Sequence, residues 1–235
     1  MESSMKERPI LFNGAMVRAL LAGDKTQTRR IVKPQPPEDE TIISGLYHPT
    51  IIDCHGEEGP GAEVFGAYTQ DGEWAKQCPH GQPGDRLWVR ETFQPFYANG
   101  VEYPNANWET GAGYAPTYPA TDGIREFVDP DDNVSDRCWP SIHMPRWASR
   151  ILLEVTAVRV ERLQDISDAD ILAEGIDTEK LAKSQDSYDI VCKGTDADGR
   201  ATLRTAWRDL WESTGGDWEA NPWVWVVEFK RIDGA

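Results

Sequence analysis

Gly23-Asp24-Lys25-Thr26-Gln27-Thr28-Arg29-Arg30, directly behind the apolar run Ala15 to Ala22, is the stretch on which the reading of this chain turns. Asn13 is placed to cap a helix carrying Met16, Val17, Leu20 and Leu21 on one side. Gly23 is placed to end it, because glycine takes the left-handed conformation at little cost. Residues 26–32 then read as a strand. The octapeptide gathers a lysine, two threonines and two arginines in a chain of formal net charge -16. Positive charge beside hydroxyls suits an anionic or polar ligand. A polar turn with Lys25 in solvent accounts for the same residues, and both readings stay open at this level.

Outward from that stretch, 235 residues fit one elaborated domain over 8–232, with 1–7 as a flexible N-terminus. Hydrophobic content of 39% and ten tryptophans can supply a core, while twenty glycines and sixteen prolines imply long polar loops. No run approaches the roughly 18 apolar residues of a membrane span, and the first residues lack the apolar centre of a signal peptide. The expectation is a cytoplasmic protein with no membrane partner. Net charge -16 argues against broad binding to duplex DNA, which depends on neutralising many phosphates. It leaves room for a small basic pocket, or for an acidic surface that engages a basic protein.

The order of elements is legible in outline. Pro9 to Phe12 reads as an entry strand. Residues 34–83 form an acidic, proline-rich insertion, a loop or small β excursion rather than a second core. Gly84-Asp85-Arg86-Leu87-Trp88-Val89 is a turn and strand, and about 98–140 is a second polar insertion. Ile151 to Leu163 is strongly β. Ser167 can cap a short helix from Asp168 to Glu174, closed by Gly175. A further helix is expected from about Ala201 to Glu212, with Leu203, Ala206, Trp207, Leu210 and Trp211 on its apolar side. Trp223 to Phe229 predicts a buried closing strand.

Two segments could carry chemistry. Lys25 and Thr28 stand three apart. A threonine hydroxyl attacks only after a base takes its proton, and lysine is such a base only when its own pKa is lowered. Arg29 and Arg30 could lower it by like-charge repulsion. A carboxylic acid is still needed for the leaving group, and the chain has 40 acids to choose from. In the second segment, Trp139 and Trp147 interleave with Arg137, Arg146, Arg150 and His143. They could stack a base, or they could be core anchors whose arginines pair with the chain's own acids. The cysteines at 54, 78, 138 and 192 form no CxxC pair and read as free thiols, and a split zinc site at Cys54-His55 and Cys78-His80 matches no standard ligand set. Asp129 to Asn133 lacks the glycine and terminal glutamate of a calcium loop. No metal or cofactor is called for.

Taken together, the Gly-x-Lys-Thr-x-Thr block, the Gly-Asp turn and strand at 84–89, the strand and helix from Ile151 through Glu174, and the closing strand resemble the ASCH domain of the PUA-like superfamily. About half the chain is covered, and the long form is similar to proteins encoded by bacteriophages and prophages. The resemblance implies an α+β fold, a small mixed β-barrel with flanking helices, carrying the two insertions as additions. It also implies a cleft for a nucleobase or nucleoside. One bacterial branch of the family hydrolyses the N4-acetyl amide of acetylcytidine through a lysine base, a threonine nucleophile three residues on and a distant glutamate donor. Lys25 and Thr28 match the first two. Glu174 falls at the third when Leu163 to Gly175 is aligned without a gap. Arg30 matches an arginine two after the threonine, whereas Arg29 stands where the family has an apolar residue.

Three functions follow as expectations. The first is an amidohydrolase acting on N4-acylated cytidine or a related modified base, with Lys25, Thr28 and Glu174 as its catalytic residues. The second is a binding module for single-stranded RNA or a modified nucleotide, using Thr26, Arg29, Arg30, Trp139, Arg146 and Trp147. The third is an acidic accessory protein that binds a host protein, in the host cytoplasm if the chain is phage-encoded.

Overall fold

The computed structural model describes residues 5–38, 40–96, 106–128, 134–192 and 201–232, with backbone only at 127–128 and 188–192. In chain order the elements begin with β1 (Glu7–Leu11), α1 (Gly14–Ala22) and β2 (Gln27–Ile31). β3 (Ile42–Tyr47), β4 (Thr50–Ile52), β5 (Glu58–Pro60), β6 (Val64–Thr69), β7 (Ala75–Gln77) and β8 (Arg86–Arg90) follow. Next come α2 (Pro119–Asp122), β9 (Phe127–Val128), β10 (Val134–Ser135) and β11 (Leu152–Arg162). The last elements are α3 (Asp168–Ala173), α4 (Thr178–Cys192), α5 (Leu203–Ser213) and β12 (Trp223–Ile232). The fold is α+β. No helix among the described residues is long and apolar enough to cross a membrane. Asp129 to Asn133 and the segment 97–105 lie outside the described residues.

Chain contacts divide the molecule into two compact units. Unit 1 comprises the described residues of Met1–Gly23, Arg86–Glu154 and Arg231–Ala235. In it β1 runs parallel to β8, with Ile10 opposite Val89, and β8 runs antiparallel to the first residues of β11. Arg86 N–H donates to Lys6 O and Phe12 N–H to Arg90 O, so the even-numbered residues of β1 face β8. Pro9 therefore lies on the outer edge, where it has no N–H to offer. Helix α1 starts at Asn13, whose side chain accepts from Met16 N–H, and stops at Gly23 with φ 89°. Both ends are those the sequence predicts. A second cluster centres on Phe93, Met144 and Ala148, with Trp108, Tyr118, Trp139 and Trp147 packed against it.

Unit 2 comprises Asp24–Asp85 and Val155–Lys230. Here the order is β11-β12-β2, and β12 pairs antiparallel with β2 so that Val226 lies opposite Arg29 and Val227 opposite Thr28. Leu163, Ile166, Ile171, Trp207, Trp211, Trp218, Val224 and Val226 form its core. Trp207 and Trp211 are four apart on α5, which begins with a reciprocal cap between Thr202 and Thr205. The 34–83 insertion supplies a three-stranded antiparallel sheet, β3-β6-β7, and a hairpin, β4-β5. α4 was not anticipated in the sequence; its face is too polar to announce it.

The strand order is open, not the closed barrel that the ASCH resemblance implies. Among the described residues neither β1 nor β2 has a second strand neighbour. Pro9 occupies the outer edge of β1, and Thr26, the residue that leads into β2, meets the end of α3, its N–H donating to Ala173 O at 2.9 Å.

Candidate functional site

Where α3 ends, Glu174 forms an antiparallel bridge with Lys25, the residue that leads into β2. Ser167 caps α3 by accepting from Asp170 N–H, and Gly175 follows at φ 83°, so the backbone delivers Glu174 to a fixed place. Lys25 Nζ donates to Glu174 Oε2 and to Glu174 O, each at 2.8 Å. The side chains are 0% and 2% exposed. An ion pair removed from water to this degree persists only when its remaining hydrogen-bonding capacity is met.

Arg29 meets it. Its Nη1 donates to Glu174 Oε1 at 3.1 Å, and its Nη2 to Glu161 Oε1 at 2.5 Å and to Asp170 Oδ2 at 3.2 Å. Nε donates to the same Glu161 oxygen at 3.1 Å. Arg159 continues the network outward to Glu161, Asp170 and Glu228. Gln27, two before Arg29 on the same strand face, donates to Asp170 O at 2.8 Å. The pairs grade from full burial at Lys25 and Arg29 to partial exposure at Arg159 and Glu228.

Strand alternation places Thr28 and Arg30 on the face of β2 opposite Gln27 and Arg29. Thr28 is buried beside Val227. Lys25 precedes the regular strand and is influenced from both faces. Burial is what chiefly pulls its amine below the ordinary lysine value, against the attraction and hydrogen bond of Glu174. Arg30 adds to the lowering more than Arg29 does. Burial also pulls Arg30 below the ordinary arginine value, opposed by Glu174. Burial pushes the Asp170 carboxyl up, but Arg29 and Arg159, with hydrogen bonds from Gln27 and Arg29, bring it below its usual range.

The structure thus brings Lys25, Glu174 and Arg29 together by direct hydrogen bonds, with Arg30 acting on the pair by its charge, while Thr28 and Arg30 lie on the opposite face of β2. Thr26 is exposed at its margin, its carbonyl accepting from Phe229 N–H. Trp139, Arg146 and Trp147 belong to unit 1. Trp139 and Trp147 lie 5.0 and 5.2 Å from Trp108, and Trp147 Nε1 donates to Trp108 O at 2.7 Å. Arg146 pairs with Glu7 at 2.9 Å, and Arg150 forks onto the buried Glu91. Aromatic packing with internal ion pairs describes that segment.

Sequence reasoning missed Asp170, Glu161, Arg159, Glu228 and Gln27. Two local signals pointed to some of them: Asp170 lies on α3 four residues before its C-cap Glu174, and Arg159 and Glu161, two apart, share one face of β11. Among the described residues no group of three or more His, Cys, Asp or Glu could hold a metal ion, and Cys54, Cys78 and Cys138 form no disulfide. Compared with family models, curated proteins and solved structures, the chain matches none.

Proposed function

We propose that this chain is an ASCH-type amidohydrolase that removes an acyl group from N4-acylated cytidine or a related modified base. Lys25 and Glu174 handle the proton and Thr28 supplies the attacking oxygen. The observation that carries this reading is the buried Lys25 amine, 2.8 Å from Glu174 Oε2 and lowered in proton affinity by its surroundings. A lysine so placed spends more of its time neutral and able to accept a proton near neutral pH than one in solvent. Thr28, buried three residues on in β2, is the hydroxyl to which the ASCH resemblance assigns the attack.

Incubation of the protein with N4-acetylcytidine tests the reading. Lys25→Ala and Thr28→Ala should each lower turnover by about 100-fold or more, the scale on which a general base acts. Equal deacetylation by all three proteins would reject it. The carboxylates that already occupy Lys25 and Arg29 count against a second reading, a nucleotide-binding module without turnover. It predicts salt-sensitive binding of short single-stranded RNA and no release of acetate.

A further inference from the structure

We propose that Arg29 is a positioning residue, holding Glu174 as an accepting carboxylate so that a single proton is carried by Lys25 through both halves of the acyl transfer. The mechanistic half rests on the amidohydrolase reading, while the positioning half stands on geometry alone. Glu174 Oε1 accepts from Arg29 Nη1 and Oε2 accepts from Lys25 Nζ. Arginine has no acceptor, and Lys25 has none while it is an ammonium, so in that state both carboxylate oxygens face groups that only donate. A protonated Glu174 would have to aim its O–H at one of them.

Arg29 is itself fixed on its far side. Glu161 on β11 takes Nε and Nη2, and Asp170 on α3 takes Nη2. The guanidinium cannot turn without breaking those bonds, and Glu174 inherits that rigidity. Arg29 and Arg30 from β2 act on the pair, and Asp170 from α3 is joined to it through Arg29. Glu161 and Arg159 from β11 and Glu228 from β12 complete the network.

The step then balances without a proton on Glu174. Neutral Lys25 takes the Thr28 hydroxyl proton as the Oγ–acyl carbon bond forms. The resulting ammonium, steadied by Glu174, gives that proton to the nitrogen of the base as the carbon–nitrogen bond breaks. Water then adds to the acyl carbon of the threonyl ester, one of its protons passing through Lys25 to Thr28 Oγ as that bond breaks, and the carboxylic acid leaves.

The test follows the Lys25 amine by NMR titration in the folded protein. Glu174→Gln should move its midpoint down, since an attracting charge is lost. If Arg29 positions Glu174, Arg29→Met should also move it down. If Arg29 is merely a neighbouring cation, its removal relieves repulsion and the midpoint rises, which overturns the proposal, as does an unmoved midpoint. Should Arg29→Met fail to fold, the double variant Glu161→Gln, Asp170→Asn loosens the guanidinium from its outer side. The loss of two negative charges by itself lowers the midpoint, so the double variant is also made with Glu174→Gln: a shift that needs Glu174 supports the same conclusion, and an equal shift without Glu174, or none, overturns it. With N4-acetylcytidine, the pH limb of kcat should track the Lys25 midpoint across the variants, and a limb that stays put rejects proton carriage by Lys25. Absence of any turnover, with the titrations as expected, removes the amidohydrolase reading and leaves Arg29 as the positioning residue.

Discussion

Burial pushes the Tyr118 phenol up to about 12, opposed by Arg150 and aided by Glu91 and Asp122. Its hydroxyl donates to Ala148 O at 2.8 Å, and Arg150 lies 3.9 Å over its ring. The folded state therefore holds this proton where the unfolded chain has lost it, and stability should fall as pH rises from 10 toward 12. Lys25 acts with the opposite sign. Its folded value lies below 10.5, so the unfolded chain binds the extra proton and stability should rise with pH from that lowered value toward 10.5. Urea unfolding across alkaline pH checks both: Tyr118→Phe should remove the fall and Lys25→Met the rise. The ion pair also predicts non-additivity. Glu174→Ala strands a buried lysine and should cost about 3–5 kcal/mol, whereas Lys25→Met combined with Glu174→Met should cost less than the two single changes summed.

Helix α1 shows how one position holds an element in place. Gly23 takes φ 89° while its N–H bonds back to Ala19 O and Leu20 O, and nothing would crowd an added Cβ there. Gly23→Ala should thus lose about 1 kcal/mol through backbone conformation alone. Trp207→Ala in α5 should lose about 3–5 kcal/mol by emptying the centre of the unit 2 core. Thermal or urea unfolding reads both. These elements were legible in the sequence because their signals are local: the Asn13 and Gly23 caps, the four-residue spacing of Trp207 and Trp211, the apolar run from Trp223. The partners of Arg29 were not. Glu161 and Glu174 lie more than 130 residues from it, and only the pairing of β2 with β12 and the placement of α3 bring them together. The 34–83 segment, expected as a loop or small β excursion, is a small sheet and hairpin, and the individual strands were not legible because they alternate weakly between polar and apolar residues.

At the scale of the whole molecule, net charge -16 governs what the surface can meet. The basic residues that drew attention in the sequence are engaged within each unit: Arg29 with Glu161, Asp170 and Glu174 in one, Arg146 with Glu7 and Arg150 with Glu91 in the other. Random-sequence duplex DNA should therefore not be retained in a mobility-shift assay at about 0.15 M salt, where a Debye length of about 8 Å screens any remaining long-range attraction. A shifted band at that salt would contradict it. Pro9 governs a different encounter. An open strand edge is a template on which a second copy could lay its own backbone and begin a polymer. At the middle of the outer edge of β1 such a copy meets a ring in place of a donor, so templated growth meets a gap at its first strand.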